Sequence, residues 1–376
     1  MAGFECTYAL AEEGVRWDLL RDSMHDTYVR EDYALLAPLG IRTVREGFSW
    51  HQIDKGNGVY DFSRYEPMLE AGRDLNIEQI WDCCHYDYPE RLDPFTDEFI
   101  SAFTSYALQC YKKICEYQKG TIYLVLFNEI SYWAWMGANR GIWAPYTKGI
   151  YKSIVFKSQL IKATIAAMNA IRDIDTHVRF IQADPFMYRE AMEPSGRTAQ
   201  KAASEFNEIA RFQTWDMLCG KSFPELGGSP DFLDIIGINY YIDNQQFLIT
   251  PKKGSNIVFE RIPYESNSRK TLASLLKDIL ERYNRPLVIT ETGSYGENRE
   301  SWWKSVLPEI EACRAQKLPL FGVCNYPTID NPIDGHFLVP HSGLWDFEPG
   351  DLLQKRHAHK LSFDELKPYM QKWNFT

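Results

Sequence analysis

Two glutamates lie at positions where an acidic side chain is expected to do chemistry. Glu129 follows the apolar run 124–127 and Asn128, and Glu291 ends the run 287–290. A buried charge without partners costs roughly several kcal/mol, so such residues usually lie at a strand end that faces a cleft. Either glutamate alone could be a capping or ion-pairing residue. Two in the same setting predict a pair of carboxyl groups for acid/base or nucleophilic chemistry.

Strand-like and helical segments alternate along the whole chain, which is typical of a parallel sheet built from strand–helix units. The predicted strands are 3–8, 41–46, 77–82, 121–128, 178–183, 232–239, 286–291 and 319–325. The predicted helices are 29–38, 64–75, 96–118, 147–172, 199–218, 269–283, 300–315 and 363–373. Eight repeats without a Pro-, Gly- or Ser-rich linker predict a single-domain (β/α)₈ barrel over residues 1–376.

The connections in this barrel indicate where a ligand would bind. The longest predicted loops are 130–146, 184–197, 240–267 and 326–362, and all of them follow strands. Loops after strands build the C-terminal face of a barrel, where the active site lies, so we expect a sizeable substrate groove there. Thr147 and Ser268 are predicted as N-caps of the helices that follow them.

Composition excludes several classes of function. A net charge of −10 and the lack of a Lys/Arg stripe argue against a nucleic-acid or anionic-membrane partner. No apolar run reaches the about 18 residues of a membrane span, and the first residues lack a signal-peptide pattern, so we expect a cytoplasmic protein. Eight cysteines without a Cys-x-x-Cys pair, and scattered histidines of which only His357 and His359 are close in sequence, predict neither disulfides nor a metal or other cofactor.

Several motifs resemble those of a known group of enzymes. Asn128-Glu129 resembles the Asn-Glu that ends the acid/base strand in the large (β/α)₈ clan A of retaining glycoside hydrolases. The sequence 289–293, Ile-Thr-Glu-Thr-Gly, resembles the nucleophile motif Ile-Thr-Glu-Asn-Gly of family 1 β-glycosidases in that clan. Segment 234–241 resembles that family's sixth strand, and 48–50, Phe-Ser-Trp, its second. The motifs occur in the strand order of the family.

The chain departs from family 1 at two motif positions. Ile130 stands where the family has proline, and Thr292 stands where it has asparagine. The chain is also shorter than a usual family 1 enzyme. A separate family within the same clan is therefore the alternative to family 1 itself.

The resemblance implies a role for each carboxyl group. Glu129 would be the general acid/base and Glu291 the nucleophile of a double displacement through a covalent glycosyl-enzyme, with the carboxyl groups about 5–5.5 Å apart. Arg45, at the end of strand two, is expected to hydrogen-bond Glu291 and keep it ionised. Tyr240 is expected to donate its hydroxyl to Glu291. In the competing interpretation Tyr240 packs and Tyr241 faces the site, since alternation along a strand lets only one of them point inward.

Three polar residues are predicted to contact a sugar. The amide of Asn128 would hydrogen-bond a hydroxyl and hold the substrate in register. His85 begins a His-x-Asp-x-Pro sequence that resembles the family 1 motif whose histidine binds a sugar hydroxyl. Glu5, near the end of the first strand, would accept hydrogen bonds from the bound ring.

Aromatic residues after the strands are predicted to line the groove, because a flat ring offers an apolar face to the CH groups of a sugar. Trp133 and Trp135, in the loop after Glu129, are the candidates for a leaving-group subsite, although core packing is the commoner role of any single tryptophan. Asn325, which ends strand eight where the clan often has a tryptophan platform, and Trp345 complete the predicted binding residues.

The function predicted first is an exo-acting β-glucosidase or β-galactosidase with a carbohydrate substrate. An endo-acting β-glycanase would use the same residues in a groove open at both ends, and a transglycosidase would pass the same intermediate to a sugar or alcohol. A catalytically silent sugar-binding barrel is a further alternative, but such proteins usually lose one of the two carboxylates. The sequence leaves the bound sugar and the oligomeric state open.

Overall fold

Eight parallel strands close into a barrel in which neighbours in the chain are neighbours in the wall. The computed structural model describes residues 1–11, 14–192, 196–249, 258–330, 341–347 and 355–373. The strands are β1 (Ala2–Gly3), β2 (Thr43–Gly47), β3 (Glu78–Asp82), β4 (Tyr123–Val125), β5 (Arg179–Pro185), β6 (Ile235–Asn239), β7 (Leu287–Thr292) and β8 (Leu320–Asn325). Ala2 closes the wall by pairing with Val44 on one side and Asn325 on the other. The predicted (β/α)₈ fold is confirmed.

Helices surround this barrel and follow its strands. The longer ones are α1 (His25–Ala34), α2 (Glu66–Leu75), α3 (Asp97–Tyr117), α4 (Ile150–Arg172), α5 (Arg197–Glu208), α6 (Gln213–Leu218), α7 (Leu272–Tyr283), α8 (Asn298–Ala315) and α9 (Lys360–Lys372). Short α-helices span Leu19–Asp22, Trp50–Ile53 and Ile130–Trp133, and a π-helix spans Ala134–Arg140. Helix α4 is long and apolar enough to cross a membrane, but most of its apolar stretch is buried against the rest of the protein, as in a core helix.

The barrel interior is apolar at one end and polar at the other. Ile80, Val125, Ile181 and Ala183 pack together inside. Asp82 lies two residues after Ile80 and therefore projects from the same side of β3, one layer nearer the C-terminal face. This layering places ionisable side chains where the loops after the strands can surround them.

Strands β1 and β4 end several residues before their predicted ends. Strand β1 ends at Gly3 because the chain then crosses the end of β2, and Cys6 packs against Gly47 so closely that a Cβ there would lie 2.3 Å from the Cys6 sulfur. Strand β4 ends at Val125, before the predicted residue 128. The predicted N-caps are wrong: α4 begins after Gly149, and the Thr271 hydroxyl caps α7 by accepting the Ser274 N–H at 3.2 Å.

The long loops contain strands that the sequence pattern did not predict. Tyr188–Ala191, Gln245–Ile249 and Val258–Arg261 form a three-stranded sheet outside the barrel. Two smaller pairs join Asp54–Gly56 to Val59–Tyr60 and Trp345–Asp346 to His357–Ala358. Parts of the predicted loops, at 193–195, 250–257, 331–340 and 348–354, lie outside the described residues.

Candidate active site

The two glutamates singled out from the sequence meet at the C-terminal face of the barrel. Glu291 lies near the end of β7, and Glu129 stands just before the short helix Ile130–Trp133. The backbone of Glu129 is left-handed, with φ of 47°, an uncommon conformation for a residue with a side chain. Its N–H donates to Ala183 O at 3.0 Å, which ties this turn to β5.

Neutral donors hold the Glu129 carboxyl group. The Tyr86 hydroxyl donates to one oxygen at 2.6 Å, and the Asn239 amide donates to the other at 2.8 Å. Glu129 is 7% exposed. Burial and then the negative charge of Glu291 raise its pKa to about 8, against the opposing effect of the two hydrogen bonds. This carboxyl group can therefore carry a proton near neutral pH.

A cation and a phenol hold the Glu291 carboxylate, which is 4% exposed. Arg45 Nη1 donates to one oxygen at 2.6 Å, and the Tyr241 hydroxyl donates to the other at 2.7 Å. The predicted contact between Arg45 and Glu291 is present. The prediction for Tyr240 is wrong, because its hydroxyl points away from the barrel axis and accepts a hydrogen bond from Gln245 Nε2 at 2.9 Å.

Arg45 also joins the other polar residues of the barrel mouth. Its Nε and Nη2 donate to the two carboxylate oxygens of Asp82 at 3.0 and 2.7 Å, a bidentate pair that fixes the plane of the guanidinium. Nη2 donates in addition to Asn128 Oδ1 at 2.8 Å. Asp82 thus aims Arg45 at Glu291, although sequence reasoning did not single out Asp82.

Hydrogen bonds within the protein determine how Asn128 and His85 are oriented. Since Asn128 Oδ1 accepts from Arg45, its Nδ2 donates to His85 Nε2 at 2.9 Å and to the Tyr86 hydroxyl at 3.1 Å. His85 Nδ1 is then the protonated nitrogen and donates to Asp82 Oδ2 at 3.0 Å. Both residues lie beside the two glutamates, and their contact with a sugar stays a prediction.

Two more polar residues were predicted to bind the sugar, and Glu5 stays a candidate while Asn325 does not. Glu5 is half-buried at the mouth, and its carboxylate accepts from the Tyr326 hydroxyl at 3.1 Å. It stays a candidate for sugar hydroxyls. Asn325 is buried, and its amide donates to Pro327 O at 3.0 Å, so it holds the loop after β8 and the prediction that it binds substrate is wrong.

Of the three tryptophans predicted to bind the sugar, two are buried in the core and one is exposed. Trp133 is fully buried and its indole N–H donates to Ala144 O at 3.2 Å, and Trp345 is buried edge-on against Phe363. Both pack in the core, so their prediction as substrate platforms is wrong. Trp135 is 42% exposed, with Arg140 over its ring, and remains a candidate for a sugar platform.

Tyr86, Asn239, Asp82 and Tyr241 are the site residues that sequence reasoning missed or left open. Each lies in, or directly before, a segment already identified by its resemblance to the family: Tyr86 is the variable residue of His-x-Asp-x-Pro, and Asn239 and Tyr241 flank Tyr240. The motifs themselves could therefore have pointed to these residues. Once Asn239 is placed facing inward, strand alternation also places Tyr241 inward.

Two clusters bring together groups that can bind a metal, and each also contains an arginine. Cys6, Asp82 and His85 lie close together at the barrel mouth, but Arg45 occupies both oxygens of Asp82. The second cluster is Asp330, His341 and Asp346, where Asp346 is paired with Arg299. A guanidinium at a carboxylate ligand opposes the binding of a cation.

Two cavities lie at opposite ends of the barrel. A small one of about 190 Å³ is lined by Tyr86, whose hydroxyl bonds Glu129, and by Arg16, Tyr88, Glu90 and Tyr146. A larger one of about 1180 Å³ opens at the N-terminal end and touches neither glutamate. The small cavity is the nearer of the two to the carboxyl groups, although neither glutamate lines it.

Known proteins resemble this chain over most of its length. The model of Glycosyl hydrolase family 1 matches residues 10–226, more than half of the chain, and includes Glu129. The aryl-phospho-β-D-glucosidase BglC of Bacillus subtilis (strain 168) is 24% identical over 391 residues, covering 85% of this chain and 80% of that protein.

Solved structures share the barrel. The family 1 β-glucosidase of Thermotoga maritima in complex with isofagomine lactam superposes with a TM-score of 0.74 at 19% identity, covering 98% of this chain and 93% of that one. The AHE enzyme of Alicyclobacillus herbarius gives a TM-score of 0.75 at 18% identity, with 93% and 87% covered. At these identities the likeness is one of fold.

Proposed function

The chain belongs to glycosyl hydrolase family 1, and from this premise we propose that it hydrolyses β-glycosides with net retention of configuration at the anomeric carbon. The observation that carries the proposal is a pair of buried carboxyl groups with different surroundings. Neutral donors hold Glu129, whose pKa is raised to about 8. Arg45 holds Glu291. Such a difference suits one carboxyl group to give a proton and the other to attack.

In the first step the Glu291 carboxylate attacks the anomeric carbon while Glu129 donates its proton to the leaving oxygen. The bond from carbon to the leaving oxygen breaks, and a glycosyl ester forms on Glu291. Arg45 balances the charge of the carboxylate before the attack. Tyr241 holds the second carboxylate oxygen and so orients the first.

In the second step Glu129 acts as a base, and water hydrolyses the glycosyl ester on Glu291. Because the ester of Glu291 carries no charge, the repulsion that raised the pKa of Glu129 is gone, and Glu129 ionises more easily. Glu129 then takes a proton from water as the water attacks the anomeric carbon, and the bond from this carbon to the Glu291 oxygen breaks to release the carboxylate. The sugar leaves with its original configuration, and both carboxyl groups return to their first state.

The substrates we propose are β-glucosides or β-galactosides cleaved from the chain end. The near-complete burial of both carboxyl groups favours a site for a terminal sugar over a groove open at both ends. An endo-acting β-glycanase and a transglycosidase remain the alternatives. The name of the Bacillus relative adds an aryl phospho-β-glucoside to the substrates worth testing.

The test is hydrolysis of aryl β-glycosides by the wild type and by Glu291→Ala. The panel contains the glucoside, galactoside, fucoside, mannoside, xyloside and glucuronide, together with an aryl phospho-β-glucoside. We expect turnover by the wild type alone, and proton NMR should show the β-anomer as the first product. An α-anomer formed first would contradict the double displacement. A fall in polysaccharide viscosity before monosaccharide appears would favour the endo-acting alternative.

A further inference from the structure

A buried cation and a buried anion lie behind the short helix that begins after Glu129. Lys157 on α4 is 7% exposed and Asp184 on β5 is 2% exposed. They share the side chain of Ser131: its hydroxyl donates to Asp184 Oδ2 and accepts from Lys157 Nζ at 3.1 Å. Lys157 also donates to Gln213 Oε1 at 2.9 Å. The mechanism proposed above uses neither of these charged groups.

Asp184 holds the turn in which Glu129 stands. Its Oδ1 accepts the N–H of Ser131 at 2.9 Å, two residues after Glu129. The first N–H groups of a helix have no partner inside the helix, so a carboxylate from another strand replaces the missing cap. Glu129 keeps its left-handed conformation only because neighbouring groups hold it, and Asp184 is one of them.

Asp184 also acts on Glu129 through space, and Lys157 lies beside Asp184. The charge of Asp184 contributes to the raised pKa of Glu129, after burial and Glu291. Burial lowers the pKa of Lys157 to about 8, and Asp184 opposes that shift. In a buried region the field of an unpaired charge is weakly screened. Removing Lys157 would therefore leave Glu129 beside an uncompensated negative charge, and removing Asp184 would take away a negative charge that raises the pKa of Glu129.

We propose that Asp184 and Lys157 are positioning residues, a balanced charge pair that holds the turn of Glu129 and determines the pH at which Glu129 exchanges its proton. This inference rests on the proposed role of Glu129 as the acid/base. The other ionisable groups that act on or near Glu129 stay unchanged in the test; they are Glu291, Tyr86, Tyr132, Tyr241 and, through Asn128, Arg45.

The test compares the titration of Glu129 in variants that change the pair in opposite directions. In Asp184→Asn the negative charge that helps to raise the pKa of Glu129 is gone, so the pH of this titration should fall by about one unit. In Lys157→Met the remaining Asp184 charge should raise it by about one unit. The double variant should titrate between the two single variants, because both of the opposing charges are removed.

Two measurements report this titration. One is the alkaline limb of the pH profile of kcat/KM, which reflects the acid of the free enzyme. The other is the ¹³C shift of the Glu129 carboxyl carbon in protein labelled with ¹³C-glutamate and assigned with Glu129→Gln, which needs no substrate. If the pair had a purely structural role, the single variants would have a lower kcat, but the pH at which Glu129 titrates would not shift in opposite directions in the two.

A milder pair of variants keeps the proposal testable if a buried single variant does not fold. Gln213→Glu places a new carboxylate beside Lys157 and should raise the pH at which Glu129 titrates. Gln316→Glu makes the same change in net charge at the exposed end of α8 and should not move it. Equal titrations in these two variants, or shifts of the same sign in Asp184→Asn and Lys157→Met, would overturn the proposal. If no glycoside is turned over, the proposed function fails, while the NMR titration still decides this inference.

Discussion

Two neighbouring residues of β2 stand at the centres of two buried ionic clusters on opposite sides of the barrel wall. Arg45 points into the barrel and contacts Asp82 and Glu291. Glu46 points outward and accepts hydrogen bonds from His25 at 3.0 Å and from Tyr33 at 2.7 Å. We call these the inner cluster (Arg45, Asp82, Glu291) and the outer cluster (Glu46, His25, Asp32, Arg356).

The outer cluster holds distant parts of the chain together. His25 at the start of α1 bonds Asp32 on the same helix at 2.8 Å, and Arg356 bonds Asp32 at 2.8 and 3.0 Å. Phe4 stacks on the His25 ring at 3.7 Å. The segment after β1, helix α1 and the segment that leads to α9 therefore meet at one buried site.

The comparison shows that burial of charge serves two purposes in the same strand. In the outer cluster histidine and arginine face carboxylates inside the protein, so its effect is on stability. In the inner cluster Glu291 lies at the mouth beside Glu129, where burial and then the charge of Glu291 raise the pKa of Glu129. A pair of matched substitutions separates the two effects.

The largest expected effect comes from the same substitution on either side of the wall. Glu291→Gln removes the attacking carboxylate and should lower kcat/KM by about 10⁴-fold or more. Its free energy of unfolding should change little, because Arg45 keeps Asp82 and the lost ion pair with Arg45 is offset by the end of the repulsion between Glu291 and Glu129. Glu46→Gln should lower the free energy of unfolding by about 3 kcal/mol, since it breaks a buried ion pair. Urea denaturation and steady-state kinetics on both variants measure this. A loss of kcat/KM per folded molecule in Glu46→Gln comparable to that in Glu291→Gln would refute the division.

The second expected effect is a loss of stability with rising pH that depends on the outer cluster. Burial opposes protonation of His25, but Glu46 and Asp32 outweigh it and raise its pKa from 6.5 to about 9. The stabilisation is complete below about pH 6.5, decreases as the pH rises, and is lost above about 9. Its size is about 3 kcal/mol.

The measurement is the free energy of unfolding of the wild type and of Glu46→Gln between pH 6 and roughly 9.5, across the window that linkage predicts. Glu129 also contributes less to the free energy of unfolding of both proteins as the pH rises, because its pKa is raised. The difference between the two proteins therefore isolates the contribution of the outer cluster. The wild type should lose more stability over this range than the variant. Parallel curves would show that Glu46 does not hold His25 in its charged form.

The fold and both carboxyl groups could be predicted because each depends on a local pattern. Alternating strands and helices predict a barrel whatever the loops contain, and an acid after an apolar run is recognisable without knowing its partners. Arg45 was placed correctly for the same reason. These predictions need only the position of a residue in its own element and the rule that strand ends share one face.

The other residues depend on contacts between distant segments, which one sequence does not reveal. Tyr86 reaches Glu129 from a backbone with φ of 73°, a conformation that the pattern of its loop does not signal. Trp133 was placed in the groove, but the short helix after Glu129 turns it into the core. The small sheet outside the barrel joins strands from different loops, and strand pairing between loops has no local signature.

The smallest expected effect tests the choice between two adjacent tyrosines. Tyr241→Phe removes the hydroxyl that donates to Glu291, and a hydrogen bond to a charged group contributes about 1.5–3 kcal/mol, so kcat/KM should fall roughly 10- to 100-fold. Tyr240→Phe is the matched control. Its hydroxyl contacts Gln245 and lies outside the site, so the variant should lose about 1 kcal/mol of stability at unchanged kcat/KM.

Kinetics and urea denaturation of these two variants compare an inward-facing with an outward-facing residue at the end of β6, as the first pair of variants does on β2. Asn239 faces Glu129, Tyr240 packs outward and Tyr241 returns to Glu291, as alternation along β6 and its continuation requires. If Tyr240→Phe lowered kcat/KM and Tyr241→Phe did not, the register at the end of β6 would be shifted by one residue. Asn239 could not then reach Glu129, and the neutral surroundings of that carboxyl group would have to come from elsewhere.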